Sequence, residues 1–288
     1  MNMIETYRMD AMRNLKNVNS FSDSWTVWKQ EILNFTDNMK DAQKIFKLGD
    51  KLAHIFQSTN SSGRAQASLS GGGAAWECLV CWYMNTIFTG SRAVVTRPTA
   101  NLVPQAIRDA TCIVYGNAQT NTESDLIVVS LPTSASYMVE HYKPDHLSNF
   151  VAENISDVTV GVIQCKTNWN DNAQIPMLWD MVYRAEGFDG HSVRVGRNGY
   201  TPKNFKDFSY SFVTVPSQKD LSKFKSNSMS VKRVRNLSGG NYWGHETKSD
   251  VALSVSEIFN CNFGHAFDES IIKHIDNTIK NQNLSFFL

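Results

Sequence analysis

The segment that most constrains this chain is the run Val158-Thr-Val-Gly-Val-Ile163 and the three residues that close it, Gln164-Cys165-Lys166. An apolar, β-branched stretch of this length reads as a strand buried on both faces. Side chains alternate along a strand, so Gln164 and Lys166 leave one face and Cys165 the other. A core has no use for an amide and an ammonium aimed at one point, because buried polar groups must be paired. Chemistry on a phosphodiester does.

Two further elements carry acids. Ser124-Asp125-Leu-Ile-Val-Val-Ser-Leu131 reads as a buried strand opened by Asp125. Gly71-Gly-Gly-Ala-Ala-Trp-Glu77-Cys-Leu-Val-Cys-Trp-Tyr-Met-Asn85 reads as a glycine-rich loop feeding an apolar helix in which Glu77 is the one charge. Taken singly, Asp125 is equally a turn residue and Glu77 equally a helix-terminal charge favoured by the dipole. Together with Lys166 they form an ordered pattern: a helix with Glu, a strand with Asp, a strand ending in x-Lys.

That order resembles the PD-(D/E)xK nuclease superfamily and, within it, the type II restriction endonucleases, over roughly Gly71 to Trp179. The resemblance implies a mixed α/β fold with a β-sheet core flanked by helices. It implies Mg²⁺-dependent hydrolysis of double-stranded DNA by a homodimer. Asp125 corresponds to the superfamily's Asp, Gln164-Cys165-Lys166 to its (D/E)xK motif and Glu77 to its helical acid. The metal shell so implied is Asp125, Glu77, Gln164 and the main-chain carbonyl of Cys165, with Lys166 beside the attacking water. Ser124 stands where the superfamily's loosely kept Pro would be, and Gln164 replaces the usual acid, removing one negative charge. The spacing from Asp125 to Gln164 is long, so residues 132–157 are expected to hold an insertion or an extra helix.

The polar loop Thr167-Asn-Trp-Asn-Asp-Asn172 follows the motif directly. Asn side chains pair bidentately with adenine in the major groove, which makes Asn168, Trp169, Asn170 and Asn172 candidate DNA contacts. Trp169 reads equally well as a core anchor and Asn172 as a helix cap. Net charge is only +1, yet Lys219, Lys223, Lys225, Lys232, Arg233 and Arg235 concentrate in one segment with Asp220 as its single acid. Such a cluster suits backbone phosphates, or a solvated loop. Ser238-Gly-Gly-Asn-Tyr-Trp-Gly244 reads as a tight turn with exposed aromatics, either a packed hairpin tip or a dimer-forming or DNA-contacting loop, the last of which adds Tyr242 to the DNA-contacting candidates.

At 288 residues and 32.4 kDa, with 42% hydrophobic content, the chain suits a single nuclease domain. Its parts would be a helical N-terminal portion over about 1–58, a catalytic core over about 71–216, and a basic segment with C-terminal helices over about 217–288. No apolar stretch is long enough for a membrane span, and the N-terminus lacks signal-peptide character. Five cysteines without framework spacing fit a reducing cytoplasm. Cys78-x-x-Cys81 lacks a second ligand pair for zinc, and no nucleophile elbow or histidine cluster supports other hydrolases. Two rivals stay open: another nuclease of the superfamily acting in repair, recombination or modification-dependent restriction, and an inactive DNA-binding module.

Local patterns predict strands near Ala93-Thr96, Thr111-Tyr115, Asp125-Leu131, Val158-Lys166 and Tyr210-Val215. Helices are expected from Ser22 to about Asn38, Met39 to about Gln57, Ile175 to about Ala185, Val251 to Phe259 and Asp268 to Lys280.

Overall fold

A computed structural model describes residues 2–59, 69–99, 101–121, 124–137, 144–167, 169, 173–188, 190–216 and 220–284. Among them the α-helices are α1 (Met3–Lys16), α2 (Asn19–Phe35), α3 (Ala42–Lys47), α4 (Leu52–Ser58), α5 (Leu69–Phe88), α6 (Gln105–Ala110), α7 (Pro144–Glu153), α8 (Gln174–Ala185), α9 (Met229–Arg235), α10 (Ile258–Asn262) and α11 (Ile271–Lys280). The strands are β1 (Ala93–Thr96), β2 (Ile113–Tyr115), β3 (Ala118–Thr120), β4 (Leu126–Ser130), β5 (Thr159–Lys166), β6 (Gly187–Phe188), β7 (Val193–Val195), β8 (Asp207–Thr214), β9 (Asn241–Trp243) and β10 (Leu253–Ser254). The fold is mixed α/β.

Two sheets carry it. The larger has the order β1-β4-β5-β8-β9-β10, and the smaller, antiparallel sheet has the order β3-β2-β7-β6. Strand β4 runs antiparallel to both β1 and β5, whereas β8 is parallel to β5. A parallel neighbour requires a crossover, and α8, which follows β5, lies on that path. All five residues of β4 and the first seven of β5 are buried, as continuous apolar strands covered on both faces must be.

One face of the large sheet presents Val95, Leu126, Val128, Ile163, Cys165 and Val213 to a core built with α2, α4, α5, α10 and α11. Helix α5 is buried along most of its length, which explains its apolar character on all sides. The opposite face divides. Ile127, Val129 and Val160 pack with α1, α6 and α7, while Val162, Tyr210 and Phe212 pack with α8, α9 and Trp169. Gly161 lets a phenyl ring lie directly on β5: a Cβ there would stand 2.7 Å from Phe263. Gly187 ends the turn after α8 at φ +103, where a Cβ would meet the Val193 carbonyl at 2.2 Å.

The expected strands near 93–96, 111–115, 125–131, 158–166 and 210–215 all have counterparts, and the α8 expectation agrees to one residue. Residues 132–157 hold α7 and two 3₁₀ turns, Thr133–Tyr137 and Ile155–Asp157, in keeping with the expected extra helix. Four expectations need correction. Gly71 to Gly73 belong to α5 rather than to a loop. Ser22 lies inside α2, where its hydroxyl donates to the Lys16 carbonyl rather than capping a helix start. The stretch 39–57 is broken by a 3₁₀ turn at Leu48–Asp50. The helix expected over 251–259 starts later, because Leu253 and Ser254 pair in parallel with Tyr242 and Trp243. Ser254 and Glu257 then form a reciprocal capping box that starts the turn.

Candidate active site

The register of β1, β4 and β5 brings three chain-distant positions to one end of the sheet. Thr96 pairs with Ile127 and Leu126 with Ile163, so β1 ends, β4 begins and β5 ends on the same edge. Arg97, Asp125 and Lys166 therefore gather there, although 28 and 41 positions separate them along the sequence (97 to 125, 125 to 166). Helix α5, packed on β1 and β5, supplies Glu77.

Asp125 Oδ2 accepts the backbone N–H of Cys165 at 2.7 Å and the Lys166 ammonium at 3.4 Å. The first bond positions the carboxylate against the end of β5, and the second is the charged contact. Glu77 Oε2 lies 3.8 Å from Arg97 Nη2. The side chains of Glu77, Asp125, Arg97 and Lys166 are all partly exposed, between 17% and 29%, so the cluster is reachable from solvent.

The electrostatics join the four into one unit. Burial pushes the Glu77 carboxyl up, the Asp125 charge adds to this, and Arg97 and Lys166 pull back. Burial likewise pushes Asp125 up, opposed by Lys166, the Cys165 N–H and Arg97. Two half-buried acids that repel each other are costly to keep, and such clusters concentrate at functional sites.

Gln164 is buried at 5% exposure, and its Oε1 has no hydrogen-bond partner among the described residues. A buried carbonyl oxygen left without a donor costs about 1–3 kcal/mol. Residues of β5 on either side show that Cys165 belongs to the core under α5 and Val162 to the opposite one. Gln164 and Cys165 thus separate as strand alternation requires. Burial pushes the Cys165 thiol well above its ordinary range, so the side chain is an inert core group.

Other candidates stand elsewhere. Asn168, Asn170 and Asn172 lie outside the described residues. Trp169 is 1% exposed and sits between Phe212, Phe224 and Trp243, with ring centroids 5.5–5.7 Å away. Of its two readings, the core anchor is the one observed. The aromatics of the 238–244 turn were expected to be exposed; Tyr242 and Trp243 are each 1% exposed. The reason is that both are strand residues of β9, paired to β8, and face opposite cores. Tyr242 as placed presents no surface to DNA.

Lys232 and Arg235 are exposed on α9 and Arg233 is half-buried, while Val231 and Val234 anchor that helix in the core that holds Trp169. Arg235 is paired with Asp250. A separate cleft of about 730 Å³, bordered by Lys47, Asp50, Lys51, Glu246 and Glu257, contains none of the candidate residues. Its Lys51 and Glu246 pair with each other at 3.1 Å.

Sequence reasoning missed Arg97. The signal was available: a cation directly after the apolar run Ala93-Val-Val-Thr96, the same arrangement that drew attention to Lys166.

Among the described residues, no three His, Cys, Asp or Glu side chains are grouped to hold a metal ion, and no helix is long and apolar enough to cross a membrane. The site itself offers the two carboxylates of Glu77 and Asp125. All five cysteines are free. No protein-family model matches the chain, and no curated protein matches it.

Proposed function

We propose that the protein is a Mg²⁺-dependent endonuclease of double-stranded DNA, of the PD-(D/E)xK type and acting at specific sites as type II restriction enzymes do. The observation that carries this reading is the meeting of Glu77, Asp125 and Lys166, from one helix and two strands, at one end of the sheet, with Gln164 two residues before Lys166 on the same strand. Those are the residues that the resemblance singled out from sequence order alone.

The donors fit a hard cation. Asp125 and Glu77 offer carboxylate oxygens, and the unpartnered Gln164 Oε1 is a further oxygen in need of a positive neighbour. Asp125, Glu77, Gln164 and the Cys165 carbonyl would hold it. Magnesium, when bound, supplies charge relief on the phosphate and a more acidic water. Burial raises the proton affinity of both carboxyls, and a bound cation would oppose that rise.

The chain's own contribution is positional. Lys166, held by Asp125, is placed to donate to the attacking water or to a non-bridging phosphate oxygen. The Cys165 amide fixes the orientation of Asp125. Helix α9 offers Lys232 and Arg233 to the DNA backbone from the same core that holds Trp169. Cutting both strands of a palindrome takes two such sites, so the reading includes a homodimer.

The test is incubation with unmethylated phage DNA and Mg²⁺, with and without EDTA, beside Lys166→Ala. The Lys166–Asp125 pair is only partly solvated, so the fold of the variant is checked by its melting temperature beside the cleavage assay. Its cleavage rate is expected to fall by about 10²–10⁴-fold. Discrete, EDTA-sensitive fragments from the wild type alone support the reading. A wild-type rate in Lys166→Ala removes Lys166 from the site, and binding without cleavage favours the inactive module.

A further inference from the structure

Among the described residues, Arg97, like Gln164, has incomplete bonding that the fold does not explain. A guanidinium carries five donors in a planar fork. Its nearest carboxylate oxygen, on Glu77, is 3.8 Å away, beyond hydrogen-bond distance, and Arg97 Nε is buried with no partner among the described residues. Two other arginines, Arg8 and Arg197, are satisfied. Arg8, with a fully buried side chain, bonds the carbonyls of Ala93 and Ser91 and the Glu5 carboxylate. Arg197 bonds Asp109 and Gln119 at 2.6 Å each. Among the described residues, Arg97 is held near an anion and bonded closely to none.

Charge explains what the place is suited to. Glu77 and Asp125 balance Lys166 and Arg97, and Gln164 adds nothing, so the cluster is neutral. Bringing in a divalent cation makes it doubly positive, which suits a phosphodiester. The same cation competes with Arg97 for Glu77. A guanidinium released from Glu77 is a bidentate phosphate donor, which an ammonium is not.

We propose, on the basis of the nuclease reading, that Arg97 is the site's phosphate-holding residue: Glu77 retains it in the free protein, and a divalent cation that takes Glu77 frees it for a non-bridging phosphate oxygen of DNA. Metal and DNA then favour each other through one arginine. By reciprocity, the factor by which DNA tightens metal binding equals the factor by which metal tightens DNA binding.

The experiment compares wild type, Arg97→Gln and Arg97→Lys. Mn²⁺ affinity is measured by calorimetry without DNA, and the affinity for a mixed-sequence duplex is measured in Ca²⁺ over a range of salt. Arg97→Gln removes the competitor for Glu77, so Mn²⁺ binds several-fold more tightly. Its DNA affinity in Ca²⁺ falls about tenfold or more, and the salt slope drops by about one. Arg97→Lys keeps the charge and the wild-type Mn²⁺ affinity but loses part of the DNA affinity, and it carries the test should Arg97→Gln not fold. A residue with a merely structural role would not tighten metal binding when removed. Unchanged DNA affinity in both variants of a protein that cuts DNA overturns the proposal and leaves the nuclease reading standing. A wild type that neither binds Mn²⁺ nor cuts DNA overturns both.

Discussion

Replacing Trp169 separates a core role from a DNA-contacting one, because the two predict opposite results. The indole is 1% exposed and makes edge-on contacts with Phe212, Phe224 and Trp243. An aromatic side chain buries about 150–250 Å², which at about 25 cal/mol per Å² gives roughly 4–6 kcal/mol before any relaxation. Trp→Ala changes in cores cost about 3–5 kcal/mol, so about 4 kcal/mol is the expected loss for Trp169→Ala. In a chain of this size each kcal/mol lowers Tm by about 2–4 °C, which places the shift at about 8–16 °C. Trp169→Phe should cost far less. Its Nε1 has no partner among the described residues, so the swap breaks no hydrogen bond, and a ring remains against the cluster. The assay is thermal and denaturant unfolding of both variants, with DNA affinity measured well below their midpoints. If Trp169→Ala melts within about 1 °C of wild type and loses DNA affinity, the indole faces DNA and the core assignment is wrong.

Two further outcomes follow from the charges. Burial raises the Asp125 and Glu77 carboxyls, so the folded protein keeps protons that the unfolded chain has already released. Their contribution to stability is full below the ordinary carboxylate range, near pH 4, and is lost as pH rises through the raised folded values. Asp125→Asn removes one such group while its amide oxygen can still accept the Cys165 N–H. It should melt higher than wild type at neutral pH without metal, with a flatter decline from acid to neutral, and should not cleave DNA; a lower Tm at neutral pH would contradict this. On α9, Lys232→Ala with Arg233→Ala should weaken DNA binding across sequences and lower the salt slope by about two, one for each phosphate no longer neutralised. An unchanged slope, from affinities over a salt series, would place α9 away from the DNA.

What the sequence determined by itself is local. The apolar, β-branched runs of β1, β4 and β5 announce buried strands because burial on both faces leaves a continuous signal. The polar residues at their ends, Asp125 and Lys166, stand out for the same reason, and so does Glu77 as the single charge of α5. Alternation alone separates Gln164 from Cys165. Chain order suggested that these residues act together, but only strand register makes them neighbours.

Tertiary structure decided the rest. Trp169 and Tyr242 sit in polar, turn-like surroundings in the sequence, yet both are buried by partners far along the chain, Phe224 and Trp243 for the one and the β8 pairing for the other. The segment 251–259 has helical composition, but two of its residues gain more by pairing with β9, so its helix waits for the Ser254 cap. Arg97 shows the limit most plainly. Its place beside Glu77 depends on the β1–β4 register and on the packing of α5 over the sheet, contacts between residues 20 positions apart in sequence (77 to 97) and across three elements. Periodicity reports which face of an element is buried; it carries no information on which other element buries it.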